Sequence, residues 1–117
     1  MLFRSPLYLP QAKSYDKAAA IGPCLYVQKE AINPDTMISI EIKRSKKVMF
    51  EGTISINRIK RKLADLADYL FREMSFPNGA YLMTGTGIVP DNNFTLLRGD
   101  VVNITIEGIG VLSNEVE

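Results

Sequence analysis

The sequence predicts a mainly β, α+β domain: an antiparallel or mixed sheet with one amphipathic helix packed on it. Three observations predict it. Two stretches, TMISIEIKR at 36–44 and VVNITIEGIGVL at 101–112, alternate apolar and polar residues as half-buried strands do. One stretch carries a helical stripe, with Ile59, Leu63, Leu66 and Leu70 at i, i+4, i+7 and i+11. The remaining connections are too short for repeated crossover helices.

The elements follow in order. Pro6, Pro10, Gly22 and Pro23 punctuate the first stretch, which has no clear period. Cys24-Leu25-Tyr26-Val27 is a short apolar run and is expected to be a strand. Asn33-Pro34-Asp35 is a turn. In the next strand Ile38, Ile40 and Ile42 face one way, and Ser39, Glu41 and Lys43 the other. Ser45-Lys46-Lys47 reads as a hairpin turn and VMFEGT as the returning strand. The helix is expected to start from an N-cap at Ser55 and to stop before Pro77, where Asn78-Gly79 turns the chain. Ala80–Met83 is expected to be a strand, and Val101–Leu112 another, with Gly108 and Gly110 interrupting it as a bulge or tight bend. About five or six strands and one helix result, in a single domain spanning residues 1–117.

Composition narrows the function. The chain has 117 residues, enough to bury roughly two thirds of its unfolded surface. Its formal net charge is +1, so no long-range field points to nucleic acid or a membrane surface. There is no histidine, which removes Ser-His and Cys-His catalysis and imidazole metal sites. A metal would need oxygen ligands, which suit Mg, Mn or Ca. Cys24 is the one cysteine, which excludes an intrachain disulfide and fits a reducing compartment. No apolar run reaches the roughly 20 residues of a membrane span, and the start lacks a secretory pattern, so the expected location is cytoplasmic.

Few stretches stand out as chemistry. Lys60-Arg61-Lys62, and Arg44 with Lys46 and Lys47, are expected to be solvated surface, because acidic residues balance them and no aromatics interleave. Asp65 and Asp68 sit three apart and are expected to keep a helix face wet. Thr84-Gly85-Thr86-Gly87 is more informative. An apolar run drives straight into two hydroxyls and two glycines, as a loop would that holds a small polar ligand against its backbone. It lacks the spacing of a nucleotide-binding loop. Lys13, between Gln11 and Asp16, could meet a carboxylate or move a proton if desolvated.

Three stretches in order, PLYLPQAKSYDKAAAIGPC, FEGTISINRIKRKLADLADYLF and YLMTGTGIVPDNNFTLLRGDVVNITIEGIGVLSNEV, resemble the C-terminal part of the catalytic domain of the fumarylacetoacetate hydrolase family. The resemblance runs from about Pro6 to Val116, and the TGTG to IEGIG portion is its most specific part. The wording PLYLPQAK and TGTGIVP is most similar to the 2-dehydro-3-deoxy-D-arabinonate dehydratase-like branch. The resemblance implies a mixed, mainly β roll, dimeric, with its active site at one mouth. It implies Mg or Mn held by a Glu-x-Glu pair and a later aspartate. It also implies chemistry on a small 2-oxo acid through an enolate: dehydration, isomerisation or carbon–carbon hydrolysis. Carried over residue by residue, Lys13 would meet substrate or shuttle a proton. Gly85 and Thr86 would contact the substrate carboxylate or oxo group, and Gln11 could contact the same substrate. Gly99-Asp100 is expected to be a structural turn.

This sequence departs from the family pattern. The Glu-x-Glu pair is missing from its expected place, and Glu115-Val116-Glu117 has the letters at the wrong end. The upstream aspartate has no counterpart. The chain is therefore expected to be a portion truncated at its N-terminus, to bind no metal and to be inactive alone. The rival expectations are a non-catalytic binding or assembly module on the same fold, and a fragment that folds poorly by itself.

Overall fold

A computed structural model describes residues 13–117, so Gln11 lies outside the described residues. Strands β1 (Met37–Arg44), β2 (Lys47–Ser55), β3 (Val101–Ile106) and β4 (Gly110–Glu115) form a four-stranded sheet in the order β2-β1-β3-β4. Every pairing in it is antiparallel. The register puts Ile40 opposite Gly52 on one side and Ile104 on the other, with Ile104 opposite Leu112. Side chains alternate along a strand, so one face collects Phe50, Gly52, Ile54, Ile38, Ile40, Ile42, Val102, Ile104, Ile106 and Leu112. The other collects Ser39, Glu41, Glu51, Thr53, Asn103 and Thr105. The expected mainly β, one-helix architecture is thus observed, with the alternation of 36–44 deciding which side is buried.

The β1–β2 turn is tight. Ser45 and Lys46 adopt φ of 49° and 67°, the left-handed pair that matches the twist of a two-residue hairpin. A register shift follows between Ile42 and Lys43, where Lys43 pairs with Val48 and Ile42 with Phe50. Met49 is the extra residue of a bulge.

Four expectations are corrected. Val101–Leu112 is not one interrupted strand but the hairpin of β3 and β4. Gly108, at φ 78°, turns the chain between them, and the Ile109 N–H closes the turn on the Ile106 carbonyl at 3.0 Å. Ser55 is a cap, but of a short 3₁₀ turn at Ile56–Arg58, where its hydroxyl accepts from the Asn57 N–H. Ile59 then becomes extended, at φ −67° and ψ 115°, and the helix proper, α1 (Leu63–Phe71), begins only after Lys62. Lys60-Arg61-Lys62 lie directly ahead of α1, with Lys62 as its N-cap and no side-chain hydrogen bond capping the helix. Within α1, Leu66 and Leu70 are half-buried and Leu63 is exposed.

The other two corrections concern Cys24–Val27 and Ala80–Met83, which are not strands. An apolar run becomes a strand only where a neighbour accepts its ladder hydrogen bonds. Among the described residues neither run has such a neighbour, and Leu25, Val27, Tyr81 and Met83 are exposed.

The core of the described residues is small. Ile42 is the fully buried apolar side chain, and Asp100 the fully buried charged one. Arg44 Nε and Nη2 donate to the two Asp100 carboxylate oxygens, each at 2.8 Å. Arg44 Nη2 also donates to the Thr95 carbonyl at 3.0 Å, and the Leu97 N–H donates to Asp100 at 2.9 Å. The Arg44 hydrogen bonds, then the Leu97 N–H, hold the Asp100 carboxyl at about 2. Asp100 in turn raises the Arg44 pKa, chiefly through the same hydrogen bonds. Arg44 was expected to be solvated surface. It instead clamps the 95–100 loop to the end of β1, and Gly99-Asp100 is the structural turn expected.

Candidate functional site

The TGTG loop is laid along the apolar face of β2. Three inward positions of that strand, Phe50, Gly52 and Ile54, receive it at three points. Gly87 packs directly on the Ile54 side chain, where a β-carbon would find no room. Ile88 sits over Gly52, where a β-carbon would stand 2.5 Å from Ile88 Cγ2. Phe94 lies against Phe50 with ring centroids 6.1 Å apart. The loop therefore runs antiparallel to β2, anchored at every second residue of the strand.

Inside the loop the backbone is bent, with Gly85 at φ 92°. The Thr86 hydroxyl accepts from the Ile88 N–H at 3.1 Å and lies 3.2 Å from the Ile88 carbonyl, fixing the turn. The N–H groups of Gly85, Thr86 and Gly87 make no hydrogen bond among the described residues. Successive free N–H groups on a bent backbone can take an oxyanion such as a carboxylate.

The segment that follows Lys13 lies along the other edge of the sheet. Lys17 pairs with Glu117, just past β4. Gly22 packs on Leu112, Pro23 on Gly110, and Cys24 Sγ lies 3.9 Å from the Ile109 carbonyl. The 17–24 segment thus runs antiparallel along β4. The sheet order puts β2 and β4 at opposite edges, about 14 Å apart at the usual strand spacing. Gly85 and Thr86 belong to one loop, but Lys13 is exposed, and no hydrogen bond or ion pair joins it to them among the described residues. The two segments flank a shared face whose floor is β1 and β3.

Sequence reasoning had not singled out the seat itself: Gly52, Ile54, Ile88 and Phe94. Gly52 carried a usable signal, since a glycine inside a strand often marks close approach of another backbone.

An open cavity of about 560 Å³ lies elsewhere, against the polar face of the sheet. It is lined by Ser39, Glu41, Glu51, Thr53, Asn103 and Thr105, and by none of the expected site residues. Glu41 accepts from Asn103 Nδ2 at 3.2 Å and pairs with Lys43 at 2.6 Å, which lowers its pKa, the Lys43 bond most. Those groups satisfy one another, and the wall offers little apolar surface to desolvate a ligand.

The described residues contain no group of three or more His, Cys, Asp or Glu placed to hold a metal ion. The buried carboxylate, Asp100, is committed to Arg44. A divalent ion therefore does not fit these residues alone. No helix among them is long and apolar enough to cross a membrane.

Comparison with known proteins bears on this arrangement. Residues 3–117 match the fumarylacetoacetate (FAA) hydrolase C-terminal family. The chain is 41% identical over 113 residues to a probable 2-keto-3-deoxyxylonate dehydratase of Haloferax volcanii, covering 96% of this chain and 39% of that protein. It is 40% identical over 114 residues to the 2-dehydro-3-deoxy-D-arabinonate dehydratase of Saccharolobus solfataricus, covering 97% and 38%. An oxaloacetate tautomerase of Bacillus subtilis is 30% identical over 108 residues. Among solved structures, a 2-keto-3-deoxy-D-arabinonate dehydratase complexed with magnesium and 2,5-dioxopentanoate superposes with a TM-score of 0.90 at 40% identity, over 97% of this chain and 41% of that one. The chain spans about two fifths of the length of these relatives. By sequence along almost its whole length, and by a fold that superposes on a member of the same group, the chain belongs to the fumarylacetoacetate (FAA) hydrolase C-terminal family.

Proposed function

We propose that this chain supplies the substrate-facing TGTG loop and Lys13 of a magnesium- or manganese-dependent dehydratase acting on 2-keto-3-deoxy sugar acids. The observation that carries the reading is the identity of 40–41% to two such dehydratases over 96–97% of the chain. The loop geometry supports it. The free N–H groups of Gly85, Thr86 and Gly87 suit a carboxylate or a developing oxyanion, and the Thr86 turn holds them in place. Lys13 moves a proton as one water leaves a 2-keto-3-deoxypentonate to give a dioxopentanoate. A divalent ion, when bound, stabilises negative charge on the substrate oxygens. Its ligands come from polypeptide equivalent to the part of the relatives that this chain does not match, and Gln11 touches the same substrate. The isolated 117 residues turn nothing over, the assembled enzyme works as a homodimer in the cytoplasm, and it uses neither nucleic acid nor membrane.

The test supplies that polypeptide, magnesium and 2-keto-3-deoxy-D-arabinonate, and follows dioxopentanoate formation. Lys13→Ala should lower turnover by about a hundredfold or more. Full activity in that variant would remove Lys13 from the chemistry.

A second reading, a non-catalytic binding or assembly module, is favoured by the commitment of Asp100 to Arg44 rather than to a ligand. It requires that calorimetry detect no Mn binding in the assembled protein. A one-to-one Mn site there would exclude it.

A further inference from the structure

We propose that Gly52, which has no side chain to offer a ligand, is a positioning residue for the TGTG loop: by seating Ile88 it sets where the Gly85, Thr86 and Gly87 N–H groups meet the carboxylate of a 2-oxo acid. The proposal rests on the reading of that loop as a carboxylate site and adds the residue that aims it.

The link runs through Ile88. Its side chain lies over Gly52, where a β-carbon would stand 2.5 Å from Ile88 Cγ2. Its N–H donates to the Thr86 hydroxyl at 3.1 Å. Ile88 therefore joins strand β2 on one side to the bent turn on the other. Gly87, between them, packs on Ile54 with no room for a β-carbon of its own. Ile88 is half-buried, whereas Gly85, Thr86 and Gly87 are exposed. An anchored residue thus follows directly after three that a ligand can reach.

The contact is tight enough to move the loop. Carbon atoms pack at about 3.5–4.0 Å. A methyl group at position 52 would push Ile88 back by about 1 Å. A β-branched side chain has little freedom about χ1 to absorb this, so the movement passes to the backbone. Downstream the backbone resists. Pro90 fixes its φ, the Phe94 N–H closes a turn on the Asp91 carbonyl at 2.9 Å, and Arg44 Nη2 holds the Thr95 carbonyl at 3.0 Å. Upstream lie Gly85 and Gly87, the pliant positions. The displacement is therefore taken up where the open N–H groups are. A misplacement of about 1 Å in a binding group can cost about a hundredfold. Loss of a water from a 2-keto-3-deoxy sugar acid leaves the carboxylate unchanged, so its grip is the same in substrate and transition state. The loss should appear in KM and not in kcat.

The experiment uses the assembled, magnesium-loaded protein described under Proposed function, with 2-keto-3-deoxy-D-arabinonate as substrate. Gly52→Ala should raise KM at least about tenfold and leave kcat within about threefold. Ile88→Ala unseats the loop without adding bulk, and should raise KM at least about threefold. Adding Gly52→Ala to Ile88→Ala should change KM by no more than about twofold, because the obstructing methyl is gone. Leu66→Ala, a half-buried position on α1, should lower the melting temperature and leave KM unchanged. An unchanged KM in Gly52→Ala or in Ile88→Ala would overturn the proposal. So would an equal rise in Leu66→Ala, which would reduce the effect to stability. A second readout needs no turnover: without magnesium or substrate, exchange of the Ile88 amide should be at least about fivefold faster in Gly52→Ala. Unchanged exchange would overturn the proposal whatever the kinetics. Faster exchange in a protein that turns over no sugar acid would refute the proposed reaction and leave the control of the loop by Gly52 standing.

Discussion

Gly52 on β2 and Ile88 of the TGTG loop fit together so closely that the strand has no room for a β-carbon at this point. Gly87 and Ile54 repeat the fit with the roles exchanged. The two contacts predict unequal costs. At Gly52 the obstructing atom is Ile88 Cγ2, whose position is set by a stiff χ1. At Gly87 it is Ile54 Cδ1, which can swing about χ2. Gly52→Ala should therefore destabilise by about 1–3 kcal/mol and Gly87→Ala by less, measured by urea unfolding. The reverse order would show that the seat is not set by these contacts. Gly85→Ala meets nothing within 4 Å but must adopt φ 92°, so it should cost about 1–2 kcal/mol through the backbone alone.

The Arg44–Asp100 clamp predicts acid sensitivity. The Asp100 carboxyl lies at about 2 in the folded chain against an ordinary 3.8, so the unfolded state binds a proton first as pH falls. The stabilisation is fully present above the ordinary value and is lost as pH drops from about 4 to about 2. Glu41, also held low, adds to the same direction. The diagnostic is the difference between wild type and Asp100→Asn. The variant should be less stable at neutral pH and should lose less stability between pH 5 and pH 2, followed by thermal melts. Parallel pH profiles would contradict the clamp.

The β1–β2 turn offers a gain. Ser45 and Lys46 occupy left-handed conformations that favour Asn and Gly. Ser45→Asn with Lys46→Gly should stabilise by about 1 kcal/mol in denaturant unfolding. A loss would mean that the side chains at these positions do more than turn the chain.

The Thr86 hydroxyl fixes its loop through the Ile88 N–H. Thr86→Val keeps the shape and removes the bond, and should cost about 1 kcal/mol. In the assembled enzyme it should also raise KM for the sugar acid, while Thr86→Ser restores it. Unchanged KM in Thr86→Val would separate the hydroxyl from substrate binding.

Much of this was legible before the fold. The alternation in 36–44 identified β1 and its buried face, because the side-chain period of a strand is two and Ile42 had to point inward. The abrupt TGTG junction marked the loop of interest. Two things were misread for a shared reason. Cys24–Val27 and Ala80–Met83 have strand composition, but composition does not report whether a neighbour exists to complete the ladder. Ile59 keeps the helical period, but the Ser55-capped 3₁₀ turn ends there and the backbone is extended before α1 begins.

By itself, then, the sequence determined the family, the strand faces and the identity of the loop, since these depend on local period and on quoted motifs. Tertiary structure alone decided that Arg44 is a half-buried clamp on Asp100, that Gly52 is the seat of Ile88, and that the 17–24 segment and the TGTG loop lie along opposite edges of one sheet. Those relationships join residues far apart in the chain, 56 positions in the case of Arg44 and Asp100. They arise from strand order and register, which bring together side chains whose spacing in sequence carries no trace of the contact.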